Sequence, residues 1–182
     1  MAENRLRKGN YDDPVCENVM NIKTLYRVIR ADEDIKNGLH PKDASQQRTH
    51  MSHIIHGSKK GYTSQFISTT KDKSVAERYH CLDKRKTRIV KIDASSLARQ
   101  GRLYDYSCGK NLRGPMPIGY ARRSKEVLVN GSIPASLIST YKPTRDCKAI
   151  ERDFTDAKAA RDKDIKALKL ENPLLYQRFI NS

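Results

Sequence analysis

Tryptophan is absent from this 182-residue chain, and acidic residues are outnumbered, with 21 Asp and Glu against 36 Lys and Arg. The resulting net charge of +15 favours an anionic partner such as nucleic acid, a nucleotide or an acidic membrane surface, and says nothing about fold. No apolar run approaches the roughly 18 residues needed to cross a bilayer, so no membrane-spanning helix is expected. The opening MAENRLRKGNYDD has no apolar stretch of the secretory-signal kind. Only four cysteines occur, Cys16, Cys81, Cys108 and Cys147, far apart and without a C-x-x-C pair. That spacing reads as free thiols rather than a disulfide framework or a zinc site.

What is present suffices for one domain. Hydrophobic residues make up 37% of the chain, enough for a single core at this length. Residues 1–22 read as a polar N-terminal arm, 23–145 as the body, and 146–182 as a helical extension. TLYRVI (Thr24 to Ile29) is β-branched and aromatic, a strand. Asp32 and Gly38 bracket a short helix as N-cap and C′ residue. Thr49 caps a second helix through HMSHIIH, ended by Gly57. SQFIST (Ser64 to Thr69) is a strand, and Asp72 caps a helix carrying Val75, Ala76 and Tyr79. RIVKIDAS (Arg88 to Ser95) is a further strand. Gly and Pro make the stretch from Gly101 to Arg123 read as irregular. KEVLV (Lys125 to Val129) is a strand closed by Asn130 and Gly131, and SIPASLIST supplies a turn and another short strand. Phe154, Ala157, Ala160, Ile165 and Leu168 form a helical stripe, broken at Asn172-Pro173 before LLYQRFI. Residues 151–182 hold seven basic and six acidic residues, so nearly all the excess charge lies on the body.

Three separated elements gain meaning together: Arg27 in the first strand, Ser68-Thr69-Thr70 at the end of the second, and Glu126 opening a later one. Taken singly, each reads as a surface Arg, a strand end and a solvated Glu. With the surrounding text LYRVIR, SQFISTTKDKSVAERY and SKEVLVNGSIPASLI, they resemble the Arg–Ser–Glu class of mono-ADP-ribosyltransferases over about residues 24 to 141. The resemblance implies an α+β fold with two small, mostly antiparallel sheets around an NAD cleft. It implies ADP-ribosyl transfer from NAD with release of nicotinamide and without a metal. Charge then develops on the ribose, as in glycoside hydrolysis, and Glu126 would stabilise it. Arg27, with Arg30 as a second candidate, would hold phosphate through the Arg fork. Ser68 would steady Glu126, Thr69 and Thr70 would support the strand end, and Phe66 and Tyr62 would pack near nicotinamide.

Departures from that pattern bear on the acceptor. Ser124 stands two residues before Glu126, where the family usually has Gln or Glu, and a lone hydroxyl is a poor guide for a guanidinium. The segment GKNLRGPMPIGYARRSKE corresponds to the acceptor-recognition loop, with Arg113, Arg122 and Arg123 as cations and Tyr120 as an exposed aromatic. From Leu82 to Lys125 there are twelve basic and three acidic residues. Basic groups interleaved with aromatics suit phosphate contact and base stacking. DNA or RNA is therefore the favoured acceptor over a protein side chain. Water as acceptor, giving an NAD glycohydrolase, and a non-catalytic nucleic-acid-binding module are the alternatives. His50, His53 and His56 recur every three residues without an obvious further ligand, so they read as no metal site; His53 is the one assigned to the NAD pocket. A cytoplasmic or nuclear location is expected, with delivery as a toxin or effector the alternative.

Overall fold

The computed structural model describes residues 18–83 and 88–171. Six strands form one sheet: β1 (Thr24–Ile29), β2 (Phe66–Thr70), β3 (Arg88–Asp93), β4 (Leu103–Asp105), β5 (Glu126–Asn130) and β6 (Ile138–Tyr141), in the order β4-β5-β2-β1-β3-β6. All pairings are antiparallel. The expectation of two separate sheets needs correction, and the reason is local. β1 pairs with β3 over all six residues, and β2 with β5 over five, but β1 meets β2 only at Tyr26 opposite Thr70. Two three-stranded halves are thus joined at one residue pair, at the very end of β2.

β-branched and aliphatic residues at alternate positions give each half an apolar face. Leu25, Ile29, Ile67, Val90, Ile92, Val127 and Val129 join Leu39, Leu97 and Ile133 in the main core. A smaller cluster of Phe66, Tyr106, Ala121 and Leu128 lies elsewhere on the sheet, with Ile54, Tyr104 and Leu112 against it.

The helices follow their caps. α1 (His50–His56) begins at Thr49, whose side chain accepts from the Ser52 amide, and α2 (Lys73–Leu82) at Asp72, which accepts from Ser74. The short turn Ile35–Asn37 is 3₁₀, and Asp34 rather than Asp32 caps it. Gly38 ends it at φ +91°, where an added Cβ would run into the Ile133 carbonyl oxygen. α3 (Ser95–Arg99) links β3 to β4. The stretch expected to be irregular contains β4 and a ten-residue helix, α4 (Pro115–Ser124). Its prolines lie in the first turn, where the missing N–H costs nothing.

The cysteines are a second correction. Cys81 at the end of α2 and Cys147 at the start of α5 (Cys147–Glu171) form a disulfide with Cα atoms 5.1 Å apart. Cys108 is also disulfide-bonded, so none of the described cysteines is a free thiol. Cys16 lies outside the described residues. A separation of 66 residues leaves no mark in linear spacing, because only the packing of α2 against α5 brings the pair together. On α5, Ile150 is buried, whereas Phe154 is 47% exposed. LLYQRFI also lies outside the described residues. No helix among those described is long and apolar enough to cross a membrane.

Candidate functional site

Arg27, Ser68 and Glu126 come from β1, β2 and β5 and converge where the two halves of the sheet part. Arg27 donates through Nη1 to the Ser68 carbonyl (2.5 Å) and through Nη2 to Glu33 Oε1 (2.8 Å). The Arg27 side chain is 10% exposed and that of Glu33 6%. The Glu33 carboxylate is further held by the Arg30 amide (2.8 Å) and the Arg30 guanidinium (3.3 Å). Arg27 Nε is buried and has no partner. A phosphate reaching Arg27 would therefore meet a guanidinium already fixed at both ends.

Ser68 sits between two groups. Its Oγ lies 2.9 Å from His53 Nε2, and it shares the wall of one cavity with Glu126. His53 Nδ1 is 2.5 Å from Ser64 Oγ. In one neutral tautomer the Ser68 oxygen accepts from Nε2–H and Nδ1 accepts the Ser64 hydroxyl. This ordered chain requires neutral His53. Burial, aided by the positive charges of Arg27, Lys42 and His50, lowers the His53 pKa to about 4, so the neutral ring is the form present near pH 7.

Glu126 opens β5 immediately after Lys125, which ends α4 in the left-handed region at φ +47°. That reversal, strained for a non-glycine residue, turns the chain from helix to strand in one step. Burial raises the Glu126 pKa above the ordinary carboxylate value, against the pull of the Ser68 and Ser124 hydrogen bonds and the Arg27 charge. Ser124 Oγ stands 2.8 Å from Glu126 Oε2 and 2.8 Å from the Tyr120 carbonyl oxygen. Its single proton serves one acceptor at a time, so Ser124 can donate to the carboxylate or accept from the protonated acid.

Two adjoining cavities meet at this junction, sharing Arg27, Val28, Ser68 and Tyr79 as walls. The larger, about 630 Å³, also carries Arg30, Lys42, His53, Tyr62 and Phe66. The smaller, about 120 Å³, carries Thr69, Thr70, Ser124 and Glu126. Arg27 and Ser68 thus line both cavities, while His53, Tyr62 and Phe66 line the larger alone and Glu126 the smaller alone. Thr69 Oγ1 is spent on the Val127 carbonyl (2.6 Å), and Thr70 Oγ1 accepts from the Asp72 amide (3.2 Å).

The expected acceptor residues lie on and before α4. Tyr120 is 41% exposed, with the Arg123 guanidinium 5.3 Å above its ring. Arg122 is exposed as a residue but donates to the Cys108 carbonyl (2.7 Å), and Arg113 is exposed ahead of the helix. Sequence reasoning missed Tyr79, 47% exposed, and Glu33; an acidic residue three positions after Arg30 was the available signal for the latter. Among the described residues no group of three or more His, Cys, Asp or Glu could hold a metal ion.

Residues 18–146 match the family described as Domain of unknown function (DUF7587), and the chain belongs to it. No curated protein matches the chain. Three solved structures have a TM-score of 0.46 with it: CARDS toxin in nicked form (22% identity), full-length CARDS toxin (23%) and EcPltA (16%). Each match covers 64% of this chain. It takes in 24% of CARDS toxin and 72% of EcPltA, so this chain corresponds to about a quarter of the toxin's length.

Proposed function

We propose that this protein transfers ADP-ribose from NAD to an acceptor and releases nicotinamide. The observation that carries the reading is the convergence of Arg27, Ser68 and Glu126, from three strands, on the junction between two cavities. NAD is an extended substrate with a dianionic pyrophosphate, and the larger cavity is of a size that takes such molecules. Arg27 and Arg30, in the wall of the larger cavity, face its phosphates in this reading. Phe66 and Tyr62 give the nicotinamide an aromatic wall.

The C–N bond between ribose C1′ and nicotinamide breaks, and the bonding pair leaves with nicotinamide. The Glu126 carboxylate stabilises the positive charge that develops on the ribose. Ser68, oriented by neutral His53, holds that carboxylate in place. An acceptor nitrogen then forms the new bond to C1′ and gives up its proton, which Glu126 takes. We favour a nucleic-acid base as that acceptor, because Arg122, Arg123 and Lys125 are exposed just ahead of Glu126 in the chain and Ser124 supplies no carboxylate for a guanidinium.

The test is incubation with NAD labelled in the adenylate, with DNA, RNA or protein present. Nicotinamide release with label on a macromolecule is expected. Release with label only in free ADP-ribose identifies a glycohydrolase. Salt-sensitive nucleic-acid binding with no NAD consumption identifies a non-catalytic binding module.

A further inference from the structure

The smaller cavity is sized and walled for one planar ring. At about 120 Å³ it falls well short of the roughly 300–1,000 Å³ of ordinary ligand sites. Two of its walls are aromatic, Tyr26 and Tyr79. Tyr26 is fixed by an edge-on contact with Tyr141, ring centroids 5.2 Å apart. Tyr79 is 47% exposed, and the Arg78 guanidinium lies 5.6 Å over its ring. A buried packing tyrosine would be covered; this one stands at the mouth.

The surroundings are cationic. Arg78 on α2 donates through Nη2 to the Arg123 carbonyl on α4 (3.0 Å), which brings the two basic helix surfaces side by side. Lys73 at the start of α2 and Lys125 beside Glu126 are both exposed. The nearby acidic groups other than Glu126 are already engaged. Asp72 caps α2 through Ser74 (2.8 Å), and Asp105 is paired with Lys71 (3.0 Å). A Lys or Arg side chain arriving as acceptor would cross this positive rim with no carboxylate but Glu126 to receive it. A nucleobase arrives neutral, carried on phosphates that the rim attracts.

We propose that the small cavity is a base-binding subsite for single-stranded nucleic acid, with Tyr79 as its stacking residue and Lys73, Arg78, Arg123 and Lys125 as phosphate contacts. This rests on the transfer reading above and adds to it the subsite and the preference for an unpaired strand. A base within a duplex cannot reach a recess of this kind without leaving the stack, so an unpaired strand is preferred.

Two measurements test it. The first is the fraction of released nicotinamide that ends as labelled oligonucleotide, a ratio that changes in NAD affinity leave unaltered. Tyr79→Ala should lower that fraction at least tenfold, and Tyr79→Phe, which keeps the ring, should restore it. The second is fluorescence anisotropy with single-stranded oligonucleotides and no NAD. Wild type should bind an intact strand about tenfold more tightly than the same strand made abasic, and Tyr79→Ala should abolish the difference. Equal binding of intact and abasic strands, an unchanged fraction in Tyr79→Ala, or label found on protein alone overturns the subsite. Absence of nicotinamide release, with base-dependent binding through Tyr79 intact, overturns the transfer reading and leaves the subsite standing.

Discussion

The Arg27 guanidinium donates to the backbone carbonyl of Ser68 across the gap between β1 and β2, 2.5 Å from nitrogen to oxygen. The two strands share one paired position, Tyr26 with Thr70, so this side chain supplies a cross-strand bond where the backbone ladder has ended. The residue proposed to face phosphate thus also sets the width of the opening in which the ligand would lie. Arg27→Lys keeps the charge but cannot reach Ser68 and Glu33 together. It should destabilise the protein by about 2 kcal/mol, the scale of a lost charge-assisted hydrogen bond. Amide exchange should quicken in β1 and β2 ahead of β3. An unchanged urea midpoint with unchanged exchange would show that the sheet halves do not depend on this bond.

Glu126→Gln separates catalysis from folding. Burial raises the pKa of Glu126, so the folded state favours the protonated form. The associated stability is present at low pH and is lost as pH rises through the folded pKa. The amide has no ionised form whose burial must be offset. The variant should therefore melt at the same or a higher temperature than wild type at pH 7. Turnover of NAD should fall by about 10²- to 10³-fold, as when a transition-state stabiliser is removed. A parallel loss of activity and melting temperature would mean that the carboxylate is structural.

How much of this was legible in the sequence depended on the range of the interaction. Local signals were strong: Thr49 and Asp72 cap their helices, and β1 spans the residues that β-branched composition marks out. α4 was hidden because Pro115, Pro117 and Gly119 read as breakers, although prolines in a first turn leave a helix intact. Tyr79 looked like one of the apolar residues of α2 but stands exposed, while Glu77 two positions earlier is 1% exposed. Apolar periodicity cannot show that, since the donors that make a buried carboxylate tolerable come from Tyr141 and Thr144, more than 60 residues away. The Cys81–Cys147 bond was invisible for the same reason. The members of the candidate site were readable from motif resemblance, but their division between two cavities arises only from the parting of β1 and β2.

His53 should leave a signature in the pH dependence of stability. Its folded pKa of about 4 lies below the value near 6.5 of an unfolded chain. Between those values the unfolded state binds the extra proton, so stability falls as pH falls from 6.5 toward 4 and is unaffected by this group above 6.5. The loss by pH 4.5 amounts to roughly 2–3 kcal/mol. His53→Gln, which can still hydrogen-bond Ser68, should flatten that part of the profile. Urea denaturation of both proteins at pH 4.5 and 7 decides the matter: equal differences between the two pH values would place no titration at His53.

Glu77 and the Cys81–Cys147 disulfide secure the same junction, and their effects should be coupled. Glu77 Oε1 accepts from the Tyr141 hydroxyl (2.8 Å), the Thr144 amide (2.8 Å) and the Thr144 hydroxyl (3.0 Å). Burial alone would raise its pKa, but these donors more than compensate and lower it, so the carboxylate is held as an anion. One turn further along α2, Cys81 is bonded to Cys147 at the start of α5. Opening a loop of this length costs about 4 kcal/mol in the chain-entropy view. Glu77→Gln should cost about 2 kcal/mol with the disulfide intact, because a charge-assisted acceptor becomes a neutral one. With the disulfide removed by Cys81→Ala and Cys147→Ala, nothing covalent holds the Tyr141–Thr144 segment against α2, and the carboxylate becomes its principal tie. The two losses should then exceed their sum by about 1 kcal/mol or more in a double-mutant cycle, within the range found for residues sharing a network. Strict additivity in urea denaturation of the four proteins would show that the two ties act on separate parts of the fold.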